Sequence, residues 1–366
     1  MITKEVTFPF YLRATILLVG LLALVAFLYL AQRIIVPIVF ATIVAILLQP
    51  VVNIFVRIKL NRIIAIAITL VLTFLVIAAF FALLFSQASR FSESWPLLVD
   101  RFTVILNQSI TWYSGYFEIN PKRIHEWIAD SREELISSST SAIGHTLYTI
   151  GSGLIVVFLV PVYIFMILYY QPLLLDFIHK LFNESHQGQV AEIVTKIKGV
   201  IQRYLTGLII EAVMIAVMDA TALFIIGIDY AILLGIIGAV LNVIPYIGGI
   251  IAVALPMMIA VATKSTVWPA FYVLAAYYFI QMVDNHYIVP VIVSSKVKIN
   301  ALFSVIVVIA GNALWGISGM FLSIPLLAIV KLIFDHIGPL KPWGFLLGDT
   351  MPELITFKPS GKKLRI

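Results

Sequence analysis

The chain has no cysteine among its 366 residues. This excludes disulfide bonds, thiolate metal sites and a cysteine nucleophile. Charged residues are also scarce, at 11% of the sequence. The sequence has no G-x-x-x-x-G-K-[ST] nucleotide-binding loop, no H-E-x-x-H zinc motif and no G-x-S-x-G nucleophile elbow, and its six histidines are scattered. We therefore expect no built-in ATP motor, no enzyme activity and no cofactor.

Hydrophobic residues are abundant instead, at 62% of the chain, and the mean hydropathy is +1.08. No soluble globular protein of this size has such a composition, so we predict an all-α, polytopic membrane protein. The net charge of +6 comes from basic residues dispersed among the loops. This pattern is typical of a membrane-orientation signal and not of a nucleic-acid-binding surface, so the expected partner is membrane lipid.

Six conventional spans are predicted at residues 10–30, 34–55, 63–85, 148–170, 204–228 and 268–288. The first is interpreted as a retained helix because no A-x-A cleavage pattern follows it. The polar residues between spans three and four predict a small helical module, with a second helix starting at Pro121. We expect a folded cap there, with a ligand-gating lid or an oligomer contact as alternatives.

The resulting division of the chain has five parts. They are 1–85 for spans one to three, 86–147 for the extracytoplasmic module, 148–203 for span four and cytoplasmic amphipathic helices, 204–334 for the transport core, and 335–366 for a cytoplasmic tail that is surface-bound or partly disordered.

Two apolar stretches, 229–263 and 301–334, are each interrupted in the middle. The pieces of the first are roughly 20 Å long as helices, whereas a bilayer core is ~30 Å thick. We therefore predict two re-entrant helical hairpins, broken at 242–249 and at 311–319. Irregular backbone at membrane depth is tolerated only within protein or beside a wet cavity, and such breaks mark binding sites in transporters.

The basic residues also predict an orientation. With a cytoplasmic N-terminus, the inner loops carry most of the 24 Lys and Arg residues, as the positive-inside rule requires. A single crossing by residues 230–262 would move Lys296, Lys298 and the basic tail to the outside. We therefore predict a bacterial cytoplasmic membrane protein with both termini inside. The two helix-plus-hairpin units then have opposite orientations, which predicts an inverted repeat.

Four segments resemble motifs of a known family, at 203–207 (Y-L-x-G), 242–249 (I-P-Y-I-G), 281–285 with Pro290, and 311–319 followed by Ile324-Pro325. From roughly residue 34 to 334, the chain is similar to the autoinducer-2 exporter family of permeases. The resemblance implies export of the signal autoinducer-2, or sodium (lithium)/proton antiport, both of which have been assigned to members. The common family pattern has Glu at the position of Asp284 and Gly-Pro in place of Gly248-Gly249.

Polar residues inside the predicted spans are the candidates for chemistry. Glu211 and Asp219 lie in span five, about 80° apart around the helix, where a charge costs ~2.5–3.5 kcal/mol. Gln281, Asp284 and Asn285 share one face of span six. The alternatives are structural hydrogen bonds for the two acids and a solvated helix end for the second group. At the hairpin tips, freed backbone groups could hold an ion or a polar ligand, or the small residues could serve close packing. The candidate pathway residues are Glu211, Asp219, Asn242, Pro245, Tyr246, Gly248, Gly249, Gln281, Asp284, Asn285, Gly311, Asn312 and Trp315.

The predicted function is secondary active transport of a small polar signal or metabolite, coupled to H⁺ or Na⁺. No other metal site is expected, and Na⁺ would be held by Asp219 and Asp284. Sodium (lithium)/proton antiport is the close alternative. A passive oligomeric channel or scaffold is the alternative of another class, so a homo-oligomer is a further candidate partner.

Overall fold

The computed structural model of the chain describes residues 9–117, 158–243, 248–264, 266–293 and 299–350. Within these ranges the protein is helical apart from turns and one bridge between Ile299 and Gly348, which agrees with the all-α prediction. The helices are α1 (Phe10–Leu30), α2 (Gln32–Arg57), α3 (Arg62–Phe117), α4 (Phe158–Lys180), α5 (Glu184–Ile226), α6 (Ala231–Asn242), α7 (Gly248–Thr263), α8 (Trp268–Val283), a π-helical segment (Asp284–Val293), α9 (Ala301–His336), a 3-10 turn (Gly338–Leu340) and α10 (Lys341–Leu347).

Six helices in the described part of the chain are long and apolar enough to cross a membrane. They are α1, α2, the Arg62–Ser89 part of α3, α4, α5 and α9. The apolar stretch of α1 buries none of its residues, and Phe74 and Val76 of α3 are 60% and 69% exposed. Apolar surface this extensive is typical of contact with lipid. The chain is therefore a multi-pass membrane protein.

Helix α3 is longer than predicted. The predicted span ended at residue 85, but the helix continues into the polar region as far as Phe117. The extension has its own buried face: Leu98 and Val99 are buried, and the Phe91 ring packs on Tyr230 with centroids 5.3 Å apart. Residues 118–157, including the helix predicted from Pro121, lie outside the described ranges, and the module as a unit stays a prediction.

The segment at 171–202 does not form separate surface helices. Its first part belongs to α4, which reaches Lys180, and the rest belongs to α5, which is continuous for 43 residues. Ion pairs one turn apart join Asp176 to Lys180 and Glu192 to Lys196. Such i,i+4 pairs favour helix, which explains why both helices extend past their apolar parts.

The first broken stretch forms two short helices that pack against each other. α6 has 12 residues and α7 has 16, so they are ~18 and ~24 Å long and each is shorter than a bilayer core. A Cβ on Gly248 would collide with the carbonyl of Leu241, and one on Gly238 would lie 3.7 Å from Ala252 Cβ. These two contacts pair the helices in antiparallel order. Re-entrance into the membrane stays a prediction.

Helix α9 also folds back on itself. Trp315 and Gly316 leave the helical conformation, and Gly316 has φ +62°, which glycine adopts without steric cost. A Cβ on Gly319 would collide with the carbonyl oxygen of Gly311, and Ser323 Oγ donates to the Val307 carbonyl at 2.8 Å. The break lies in the predicted segment 311–319. The inverted repeat that would relate the two hairpins stays a prediction.

The start of the tail is more ordered than expected. After α9 ends at His336, the chain turns and α10 packs back on the beginning of α9. Asn300 ties the two together: its backbone N–H donates to Leu347 O at 3.0 Å and its side chain donates to Leu346 O at 2.8 Å. Apolar residues in α10, among them buried Leu347, explain why this part folds. Residues 351–366 lie outside the described ranges.

Candidate functional site

Helix α5 presents two buried acids on one face. Glu211 is 7% exposed and Asp219 is 2% exposed, and Ile215, midway between them, is 1% exposed. One turn before Glu211, Gly207 allows a close approach by the neighbouring segment. A Cβ at this position would lie 2.7 Å from the carbonyl oxygen of Ile292. The predicted common face of the two acids is therefore a packing face against the π-helical segment.

The third buried acid, Asp284, begins that π-helical segment. Pro290 lies within it and has no N–H to donate, and π-helical turns are frequent at functional sites. Asp284 is 2% exposed, so it is not the solvated helix-end residue of the alternative interpretation. Ile280 and Ile288, one turn on either side of Asp284, cluster with Ile215. Asp284 therefore lies at the level between Glu211 and Asp219.

A polar chain joins α8 to the first hairpin. Gln281 Nε2 donates to Asn242 Oδ1 at 2.8 Å, and Asn242 Nδ2 donates to Asp284 Oδ2 at 3.0 Å. Gly249 lies against the same amide, because a Cβ there would be 3.0 Å from Gln281 Nε2. The structure thus brings four predicted site residues together at the end of α6.

A cavity of about 790 Å³ opens beside this chain. It is walled by α5, α6, α7, α8, the π-helical segment and parts of α9. Its lining residues are Tyr204, Leu208, Glu211, Asn242, Val243, Gly249, Val253, Leu274, Tyr277, Tyr278, Gln281, Asp284, Asn285, Val289, Val293, Ile299, Ser304, Ile324 and Asp349. Three of these are acids, and no Lys, Arg or His is among the described lining residues. The cavity therefore favours protons or a cation over an anion.

Several buried oxygens in this region have no hydrogen-bond partner among the described residues. They are Glu211 Oε2, Asp219 Oδ1, Asp284 Oδ1 and the Tyr277 hydroxyl. Buried polar atoms are normally paired, because an unpaired one costs free energy. Carboxylate and hydroxyl oxygens can coordinate Na⁺, and carboxylates can also take up H⁺. Their concentration here is therefore chemically suited to one of these cations.

Asp219 does not line the cavity but lies near Tyr277, which does. A Cβ on Gly238 would be 2.8 Å from Asp219 Oδ2 and 3.6 Å from the hydroxyl of Tyr277. Tyr277 is itself a lining residue. The phenol and the buried carboxylate therefore lie close to each other beside Gly238, whose missing side chain leaves room for both oxygens.

The tip of the second hairpin is not part of this site. Gly311, Asn312 and Trp315 are absent from the cavity lining, and Trp315 Nε1 instead donates to Leu28 O of α1 at 3.1 Å. Gly311 packs on Gly319 and Ser323, as in the close-packing alternative. Of the first tip, Gly248 packs on Leu241. Pro245 and Tyr246 lie outside the described residues.

Sequence reasoning missed five polar lining residues: Tyr204, Tyr277, Tyr278, Ser304 and Asp349. Tyr277 was within reach, because it precedes Gln281 by one helical turn and so shares its face. Tyr204 is the first residue of the Y-L-x-G pattern within 203–207 but was not predicted as a site residue. Asp349 comes from the folded-back tail, and no local pattern indicated that it would lie there.

Comparison with models of known protein families identifies the family of this chain. The model of the AI-2E family transporters matches residues 18–338. The chain belongs to the AI-2E transporter family. This confirms the resemblance found in the sequence motifs, and it extends the match to all but the two ends of the chain.

Sequence identity to individual family members is low, but the alignments are long. The "Putative transport protein YhhT" of Escherichia coli (strain K12) is 23% identical over 92% of this chain and 94% of its own length. The "AI-2 transport protein TqsA" of the same strain is 23% identical over 88% and 92%. The "Putative transport protein YueF" of Bacillus subtilis (strain 168) is 21% identical over 63% and 62%, so the match spans about three-fifths of that relative.

Membership in the AI-2E transporter family makes the chain a membrane transport protein at the level of the family. The family is one of transporters and permeases.

Proposed function

We propose that the protein is a secondary active permease that moves a small polar solute across the bacterial cytoplasmic membrane, coupled to H⁺ or Na⁺. The observation that carries this proposal is a set of three buried acids: Glu211 and Asp284 line a cavity without a basic lining residue in the described chain, and Asp219 lies near its lining residue Tyr277. Buried acids inside a membrane protein are costly and mark ion and proton pathways. The absence of a nucleotide-binding loop agrees with energy drawn from an ion gradient.

The coupling ion is assigned to the acids and the solute to the uncharged polar groups of the lining. Asn242, Gln281, Asn285 and Ser304 offer amide and hydroxyl donors and acceptors, and tyrosine rings form part of the wall. Such a lining suits a small molecule that carries hydroxyl or carbonyl groups. The relative TqsA is named an AI-2 transport protein, which makes autoinducer-2 the first solute to test.

Movement of the first hairpin would provide alternating access. Asn242, at the end of α6, holds both Gln281 and Asp284, so ion binding at Asp284 bears directly on this hairpin. A cation or proton at Asp284 would weaken the pull of the carboxylate on the Asn242 amide. Release of that contact would free the hairpin to open the cavity on one side.

Sodium (lithium)/proton antiport is the second candidate. The specific observation in its favour is again the acidic lining, because a site that binds Na⁺ and H⁺ in turn needs carboxylates and no organic solute. A passive oligomeric channel is the third candidate and would need no coupling acid.

Flux into proteoliposomes tests these candidates. The wild type and the variants Glu211→Gln, Asp219→Asn and Asp284→Asn are compared for autoinducer-2 uptake under pH or Na⁺ gradients, and for dye-reported Na⁺/H⁺ or Li⁺/H⁺ exchange without solute. Asp176→Asn, which changes an exposed acid outside the cavity lining, is the matched control. We expect gradient-driven flux in the wild type and the control and its loss in the three variants. Flux that proceeds without a gradient, or that survives all three changes, contradicts the proposal.

A further inference from the structure

Two smaller cavities lie side by side where α2 ends and α3 begins. One, of about 300 Å³, includes Arg62 in its lining. The other, of about 290 Å³, includes Arg57 and Lys198. Asn53 lines both cavities, so they adjoin each other at α2, the first towards α4 and the second towards α5, and we call the two together the basic recess.

The recess lies at the depth of lipid headgroups. Arg57 is the last residue of α2 and Arg62 is the first of α3, and both helices are long and apolar enough to cross the membrane. The turn between them must therefore sit at a membrane surface. The distribution of basic residues predicts that this surface is cytoplasmic, where anionic lipids attract polybasic segments.

The positive charges of the recess are not balanced by protein acids. No Asp or Glu lines either cavity in the described chain. Arg62 Nη2 donates to two neutral oxygens, Leu168 O at 2.7 Å and Gln171 Oε1 at 3.1 Å. Arg57 and Lys198 make no salt bridge with the described residues. Cations that converge on a recess without acids form a site for an anion, and guanidinium groups match phosphate geometry well.

The walls of the recess are apolar, which favours a lipid over free phosphate. Pro50 and Ile54 line one cavity, and Val52, Val56 and Leu175 line the other. On the outer side, Ile54 is 58% exposed and Val56 is 41% exposed. Free phosphate gains nothing from such surface, whereas an acyl chain attached to the phosphate would cover it. A solvated basic loop, the simplest explanation of these charges, requires neither a recess nor an apolar wall.

We propose that this recess binds the phosphate headgroup of an anionic phospholipid. Arg57 and Lys198 hold the phosphate oxygens, Arg62 adds positive charge from the adjoining cavity, and the acyl chains lie along Ile54 and Val56. The bound lipid would bridge α2 and α5, the helix that carries Glu211 and Asp219. The site is separate from the transport cavity, so its test does not depend on transport.

Thermal unfolding of the full-length protein in neutral detergent tests the site. The probes are phosphatidylglycerol, phosphatidylcholine with the same acyl chains, and inorganic phosphate. A ligand that binds only the folded protein raises the Tm in proportion to the logarithm of its concentration. We expect phosphatidylglycerol to raise the wild-type Tm much more than phosphatidylcholine. For Arg57→Gln/Lys198→Gln we expect binding to be roughly tenfold weaker or worse, with most of this shift lost.

The matched control is Lys180→Gln/Arg203→Gln, which removes the same charge from exposed positions outside both cavities and should keep the full shift. The proposal is overturned if the two lipids act equally, if the Arg57/Lys198 variant keeps the shift, or if phosphate alone reproduces it, which would identify a free-anion site. If the variant does not fold, the salt dependence of the wild-type Tm shift is the test. The phosphatidylglycerol shift must fall as salt rises, while a salt-insensitive shift rejects the basic recess as its source.

Discussion

Asn242 Nδ2 donates to Asp284 Oδ2 at 3.0 Å, while the Oδ1 atom of the same asparagine accepts from Gln281. The side-chain amide of Asn242 therefore joins the first hairpin both to α8, through Gln281, and to the π-helical segment, through Asp284. Because an amide has one donor end and one acceptor end, neither Asp nor Leu at position 242 could serve both partners. This relationship is the basis of the first prediction.

Asn242→Ala should lower the free energy of unfolding by about 1–3 kcal/mol, because it leaves the buried Asp284 carboxylate without its donor. The change should also reduce gradient-driven flux. Asn312→Ala is the control, since Asn312 is exposed and lies outside the cavity. A double-mutant cycle with Asp284→Asn, followed by thermal unfolding, measures the pair. Strictly additive effects of the two changes would show that they do not interact.

Gly238→Ala should displace the Asp219 carboxylate. The added methyl group would lie 2.8 Å from Asp219 Oδ2, and overpacking of this kind costs about 1–3 kcal/mol. We expect reduced H⁺ or Na⁺ coupling together with a lower Tm. Gly20→Ala is the matched control, because it has open space and an Ala favours helix by roughly 0.5–1 kcal/mol. Wild-type coupling in Gly238→Ala would mean that the position of Asp219 is not critical.

Tyr277→Phe should show whether the Tyr277 hydroxyl takes part in transport or whether only the packing of its ring matters. The change keeps the buried ring but removes its hydroxyl. That hydroxyl and Asp219 Oδ2 both lie within 4 Å of the place that a Cβ on Gly238 would occupy. We expect little change in Tm and a clear loss of coupled flux, measured in proteoliposomes. Tyr278→Phe, one residue away on the cavity wall and 74% exposed, should retain flux. Equal behaviour of the two variants would remove the Tyr277 hydroxyl from the pathway.

The sequence was informative wherever a single helix determined the outcome. The buried faces of Glu211 and Asp219, the grouping of Gln281 with Asp284, and the two breaks all follow from local periodicity and from glycine or proline. These features were predicted and are seen in the structure. The continuity of α3 beyond its membrane span was not predicted, because its polar extension gains a second buried face from α7, which no local window contains.

The second hairpin shows what local patterns could not give. Gly311, Asn312 and Trp315 have the composition of a ligand-binding tip, as Asn242 and Gly249 do. Whether a tip faces a cavity depends on which helix covers it, and α1 covers this one through the bond from Trp315 to Leu28. Conversely, Asp349 reaches the cavity only because α10 folds back onto Asn300. Both outcomes depend on contacts between residues far apart in the chain.

Gly319→Ala should destabilise the second hairpin without affecting the cavity. The added methyl group would collide with the carbonyl oxygen of Gly311. Because this oxygen belongs to the backbone, it cannot move aside as easily as the end of a flexible side chain. We expect a loss of about 1–3 kcal/mol in unfolding free energy, with cation binding unchanged in the protein that remains folded. Gly338→Ala, which meets nothing within 4 Å, is the control. An unaltered Tm for Gly319→Ala would contradict the close packing of the two arms.

The absence of cysteine allows the membrane path of the first hairpin to be tested directly, because any introduced thiol is unique. Asp229 and Thr266 are exposed and bracket α6 and α7. If the hairpin is re-entrant, Asp229→Cys and Thr266→Cys should both react with a membrane-impermeant maleimide added to intact cells. Lys180→Cys, whose side chain is 75% exposed at the end of α4, should react only after permeabilisation. Reaction of positions 229 and 266 from opposite sides would mean that residues between them cross the bilayer. The basic residues after α8 would then lie outside, against the positive-inside rule.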